Sequence, residues 1–217
     1  MRLLRAGQCG APPLNCGVRP LSQRMQISEA QNKLAGQLVD LVAEALGSGR
    51  AVHPETAVAC SARLAGSLLL RSFNLNIEKV EPGTVVLSNE ANEQGPQLIS
   101  ILGAMLENFG VSLDTKKLDG KPKVRGRDPE LSVMESLLLL QDKALSCVSR
   151  SGLNLVEASQ AAAIATAFIV KECARDIGGE VGFNIAAYGF IEGSKTVPPR
   201  PTSGSAQSEK RPWYKLW

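Results

Sequence analysis

Between Ile27 and Ile191 apolar residues recur at three- and four-residue spacing in separate runs, each bounded by helix punctuation. That period is the signature of helices with one buried face. Ile27, Ala30, Leu34, Leu38, Leu41 and Ala45 form the first run. Ser28 followed by Gln31 offers a capping box at its start, and Gly47 is a natural stop. The second begins at Pro54, where a missing amide donor costs nothing, and carries Val58, Ala62, Ala65 and Leu69 before closing at Phe73. A third helix is predicted from Pro96 to Phe109, with Leu98, Leu102 and Met105 inward, Gly110 as its left-handed cap and a further turn over Asn89 to Gln94. The fourth is expected to start with Asp128 as cap and Pro129 in the first turn, then run through Met134, Leu137, Leu138, Leu145 and Val148 to Gly152. Asn154 with Glu157 opens a fifth, alanine-rich helix that reaches about Ile177, and its small side chains place it centrally. Val181, Ile185, Tyr188 and Ile191 mark a sixth, from about Glu180 to Ile191.

The period changes twice. Between 75 and 88, Leu75 and Ile77 alternate, Pro82-Gly83 suits a turn, and Val85-Val86-Leu87 is strand-like, which predicts a short β-hairpin packed on the helices. From Ser194 onward, Pro198, Pro199, Pro201, Ser203, Gly204, Ser205 and Ser208 read as an extended linker. The expected architecture is all-α: one domain of five or six packed helices over 26–193, flanked by disordered ends. Those ends comprise a basic leader at 1–25, a Pro/Ser-rich linker at 194–210 and an aromatic-basic motif at 211–217.

Charge sharpens that division. Residues 1–28 carry four arginines and no acid, residues 195–217 carry five cations against Glu209, and residues 29–194 hold fifteen basic and twenty acidic side chains. An acidic body therefore bears two basic ends, and the net charge of +3 does not describe a nucleic-acid surface on the body. The leader has the arginine-rich, acid-free composition of a mitochondrial presequence, but Gly7, Gly10, Pro12 and Pro13 oppose an amphipathic helix. A non-native or disordered leader, with translation starting at Met25, is the alternative taken. Five cysteines without regular spacing argue for a reducing compartment rather than a disulfide framework. No stretch reaches the ~18 apolar residues of a membrane span, and the expected location is cytoplasmic.

Candidate chemistry is sparse. His53 is the chain's one histidine, so any histidine-based site must use it; its place before Pro54 suits a cap or an exposed side chain. Gly189 to Thr196 resembles a phosphate-binding loop, but the lysine does not directly follow the second glycine, and Val197-Pro198-Pro199 follows instead of a helix. The close spacing of Gly178 and Gly182 sits at a helix boundary, where capping and packing account for it. Glu90 and Glu93 share a helix face and read as first-turn acids favoured by the helix dipole. No catalytic residue, metal ligand or cofactor site is assigned. The loop from Asp114 to Asp128 sets Lys116, Lys117, Lys121, Lys123, Arg125 and Arg127 against three acids, which makes it a weak candidate for anion contact. It holds no aromatic residue for base stacking, which disfavours nucleic acid.

The segment Arg211-Pro-Trp213-Tyr214-Lys215-Leu-Trp217 holds both tryptophans and one of the two tyrosines. Tryptophan, tyrosine and arginine dominate interface energies, so Arg211, Trp213, Tyr214, Lys215 and Trp217 are the candidate partner-binding residues. The leading expectation is a non-enzymatic helical interaction protein (adaptor, chaperone-like factor or inhibitor) with 211–217 as its docking peptide. Contact with a membrane surface through the same rings and cations is a weaker reading, and homo-oligomerisation is open. The alternatives are a ligand binder or enzyme using the basic loop and scattered carboxylates, and a nucleic-acid binder using the loop and the basic ends.

Overall fold

The computed structural model describes residues 27–47, 52–73, 75–118 and 128–201. Among them six α-helices, and no β-strand, make one packed body: α1 (Glu29–Leu46), α2 (Pro54–Ser72), α3 (Asn89–Asn108), α4 (Val133–Ser151), α5 (Leu155–Ile177) and α6 (Gly179–Lys195). The basic leader, the last part of the linker and the 211–217 motif lie outside the described residues.

Local chemistry sets most boundaries. Ser28 and Gln31 satisfy one another's backbone amides in a capping box at the start of α1, and Asn154 and Glu157 do the same for α5. Gly152 closes α4 in the left-handed conformation that glycine adopts without strain. Two starts differ from expectation. Ser88 caps α3, so the helix begins at Asn89 and Pro96 lies inside it. In α4 the capping box is Ser132 with Glu135 rather than a cap at Asp128. The stretch before it is drawn onto α2 instead: the Glu130 amide donates to Thr56 Oγ1 at 3.0 Å, and the Leu131 carbonyl accepts from Arg63 Nη1 at 2.6 Å.

The hairpin expected at 75–88 is not formed. Ile77–Lys79 is a single 3-10 turn, and Val85 pairs in an isolated antiparallel bridge with Thr196, the residue after α6. Gly83 N–H donates to Val197 O, Val197 N–H to Thr84 O, and Val86 N–H to Lys195 O, at 2.7–2.9 Å. A two-stranded local piece is marginal in water, whereas this pairing is anchored at both ends by helices.

The interior is built around α2. Every residue from Glu55 to Leu70 is buried, so this helix is enclosed on all sides, chiefly by α5 and α6. The alanine-rich α5 shares the interior, packing on α1, α2, α3 and α6, but it is not the axis. Glycine explains the close approach of α2 and α6. A Cβ on Gly189 would stand 2.6 Å from Ala62 Cβ, and one on Gly66 would stand 2.7 Å from Ser194 N. The glycines that resembled a phosphate loop therefore sit at a helix crossing.

Packing continues past α6. Ser194, Val197, Pro198 and Pro199 are buried, although their composition reads as linker. The Pro199 carbonyl accepts from Gln141 Nε2 at 2.9 Å and from Arg71 Nη2 at 3.0 Å, which pins the chain across the end of α2 and the middle of α4.

Candidate functional site

The first turns of α3 and the last turns of α6 form a cleft. Ala91, Asn92, Gly95, Pro96 and Ile99 of α3 face Phe190, Ile191, Ser194 and Lys195 of α6 across a space of about 200 Å³. Near it stand four of the exposed large apolar side chains among the described residues: Leu87 at 80%, Val85 at 66%, Ile191 at 45% and Tyr188 at 40%. Leu87 is held there because Val86 bonds to Lys195 while Ser88 caps α3, so it bridges the end of α6 and the start of α3. Tyr188, Ile191 and Lys195 follow helical spacing on one side of α6. Pro96 supplies apolar wall and withholds a donor, since it has no N–H to offer the Asn92 carbonyl one turn back.

Lys195 is the one charged residue lining the cleft, and three carboxylates lie on the helices beside it. Glu90 and Glu93 are exposed in the first two turns of α3, as expected for first-turn acids. On α6, Glu192 is committed: Arg63 Nε donates to its Oε2 at 2.8 Å. Arg63 is itself buried in α2 and also donates to the Leu131 carbonyl and to Ser136 Oγ at 3.0 Å. Ser136 Oγ in turn accepts from Cys60 Sγ at 3.3 Å and donates to the Ser132 carbonyl at 2.7 Å. Burial raises the Cys60 thiol pKa, opposed by the Ser136 hydrogen bond and the Arg63 charge. This network ties α2, α4 and α6 together and is closed on itself. It was not anticipated from sequence, although a lone arginine in a run of small and apolar residues is a signal that it must find buried acceptors.

The other polar groups are also spent on structure. His53 precedes α2 without capping it; its Nδ1 lies 2.9 Å from Thr56 Oγ1 and its Nε2 3.5 Å from the Glu55 carboxylate. Ser61 and Thr166 pair between α2 and α5 at 2.9 Å. Burial lowers the Arg71 pKa, with the Asp142 charge acting the other way, and its Nε finds no partner. Among the described residues no group of three or more His, Cys, Asp or Glu side chains is gathered as metal ligands.

The sequence-derived sites divide by position. Lys116 and Lys117 are exposed in the turn Thr115–Lys117, with Lys117 Nζ 3.6 Å from Asp114 and the Lys117 carbonyl accepting from Asn184. Lys121, Lys123, Arg125 and Arg127 lie outside the described residues, as do Arg211, Trp213, Tyr214, Lys215 and Trp217. Two further clefts are present. One of about 310 Å³ runs between α1 and α5 beside Phe109 and Phe168, whose rings meet edge-to-face at 6.2 Å. The other, about 750 Å³, is a notch between the start of α1 and the end of α4, lined by Ser28, Glu29, Lys33, Gln37 and Arg150. Among the described residues no single helix is long and apolar enough to cross a membrane.

Compared with known proteins, the chain matches no family model, no curated protein and no solved structure.

Proposed function

We propose that this chain is a non-enzymatic interaction protein, an adaptor or inhibitor, that engages proteins through the α3–α6 cleft and through the aromatic-cationic peptide 211–217. The observation that carries this reading is that exposed Ile191 lines one narrow cleft while exposed Val85 and Leu87 flank the Val86–Lys195 bond at its end and exposed Tyr188 stands one turn before Ile191. Solitary exposed apolar residues need no explanation, but a contiguous group rimmed by polar residues marks an interaction surface. The cleft's volume of about 200 Å³ falls below the ~300 Å³ at which drug-sized ligand pockets begin. It suits one large side chain presented by a peptide better than a whole small molecule.

The test is affinity capture from native lysate with three baits: the intact chain, the chain cut after residue 210, and Leu87→Asp/Ile191→Asp. The same partner, retained by the intact chain and lost from both the truncated and the cleft variants, is the expected result. Identical partner sets on all three baits would end the proposal.

A further inference from the structure

Residues 211–217 and the α3–α6 cleft are chemically matched and joined by a short tether. We infer that the segment Arg211–Trp217 docks in its own chain's α3–α6 cleft, so that a partner must displace it. This rests on the reading of the cleft as a peptide-binding site and adds what occupies it.

Reach comes first. Lys195 lines the cleft, and the described chain continues from it to Pro201, with Pro199 held at the end of α2 and the middle of α4. Residues 196–201 span at most ~20 Å and residues 202–210 at most ~30 Å, at the 3.3–3.6 Å per residue of a fully extended chain. The tether out is therefore shorter than the tether back, and the segment returns to Lys195 with slack. A tether of that length holds the peptide at a local concentration on the order of millimolar, so even a weak docking site is filled.

Chemistry comes second. The cleft is lined by Ile99 and Ile191 over the buried Phe190, by the flat face of Pro96, and by Asn92, whose carbonyl lacks the helical N–H that Pro96 cannot supply. An indole meets all three requirements at once, with a large apolar ring and a single N–H donor. The chain has two tryptophans, Trp213 and Trp217, both in this segment. Charge sets the orientation: Lys195 is the one charged side chain lining the cleft, so Arg211 and Lys215 would be directed away from it, toward the exposed Glu90 and Glu93 of α3.

Because both tryptophans lie in the segment, tryptophan fluorescence of the full chain reads the segment alone. A synthetic peptide of residues 209–217 provides the free-state reference. The chain cut after residue 210 retains every described residue, contains no tryptophan, and serves as peptide acceptor once far-UV circular dichroism shows its helices intact. The expected result is an intact-chain emission blue-shifted from that of the free peptide and unchanged across a hundredfold dilution. It returns to the free-peptide value in Leu87→Lys and Ile191→Asp, both surface positions that leave the helical signal unaltered. Emission equal to that of the free peptide would overturn the inference. So would a shift that persists in both cleft variants, or one that grows with protein concentration and so places the segment on a second copy. Titrating the peptide into the truncated chain separates the two readings. Peptide binding there with free-like emission in the intact chain defeats only the self-docking, whereas no binding defeats the cleft as a peptide site as well.

Discussion

Gly193 of α6 lies against the backbone of Arg63 in α2 so closely that a Cβ there would stand 2.9 Å from the Arg63 Cα. The two helices thus meet backbone to backbone, and the same pair of residues brackets the Arg63–Glu192 ion pair. Gly193→Ala is expected to lower unfolding free energy by about 3 kcal/mol, the upper end for overpacking a rigid contact. Gly36, mid-way along α1 with open space around its Cβ position, is the control. Gly36→Ala should stabilise by about 0.5–1 kcal/mol through helix propensity alone. Urea denaturation of both variants measures the contrast, and equal effects would contradict the crossing.

The Arg63 network predicts an asymmetry between partners. Arg63→Ala removes the donor to Glu192, Leu131 and Ser136 together, which strips the Leu131 carbonyl of its side-chain donor and leaves Ser136 Oγ with only the weak Cys60 thiol donor. At ~1–3 kcal/mol per orphaned buried group, a loss of about 3 kcal/mol is expected. Glu192→Gln keeps an acceptor oxygen at a half-exposed position, and its cost should be about 1 kcal/mol. The same denaturation curves decide it; a larger loss for Glu192→Gln would place the energy in the charge pair instead.

The start of α4 can be tested at its cap. Ser132→Ala should cost about 1 kcal/mol, as for other N-cap serines, while Asp128→Ala should be close to neutral. The hydrogen bonds from the Ser132 hydroxyl and backbone amide lower the Glu135 carboxyl pKa from its ordinary value. A depressed carboxyl contributes above its unfolded-state pKa and loses that contribution as pH falls through the folded value. The penalty for Ser132→Ala should therefore shrink as pH drops below about 4.3, which thermal melts across pH 2–6 would show.

Cys173 should be the alkaline weak point. Burial, reinforced by the negative charges of Asp176, Glu55 and Glu172, raises its thiol to about 11. The unfolded thiol loses its proton near pH 8.5, about where free cysteine titrates, while the folded one keeps it. Stability should consequently fall as pH rises from there towards 11, and Cys173→Ala should flatten that slope. At pH 8 the native chain should resist iodoacetamide at Cys60 and Cys173 and react at both in urea, read by mass spectrometry of the peptides.

Legibility followed the range of the interactions. Ser28 with Gln31, Pro54, Gly152, and Asn154 with Glu157 mark helix ends by chemistry confined to one turn, and the structure ends its helices there. Asp128-Pro129 and Ser132-Glu135 are both credible helix starts in isolation, and the choice between them is made from α2, where Thr56 and Arg63 capture Glu130 and Leu131. The strand-like 85–87 run carried the right local preference and the wrong partner, because its mate Thr196 arrives from α6. The cleft could not be read at all, since α3 and α6 contribute its walls from distant parts of the chain.

Helical character, most helix ends, and the placing of both tryptophans in one cationic segment beyond a proline-rich stretch are written in local residue order. That α2 rather than α5 forms the axis, that Gly66, Gly189 and Gly193 serve a helix crossing, and that residues 194–199 belong to the packed body emerge only when the helices pack. Capping and periodicity are satisfied within a few residues, whereas burial of Arg63 or exposure of Leu87 depends on which distant backbone groups arrive beside them.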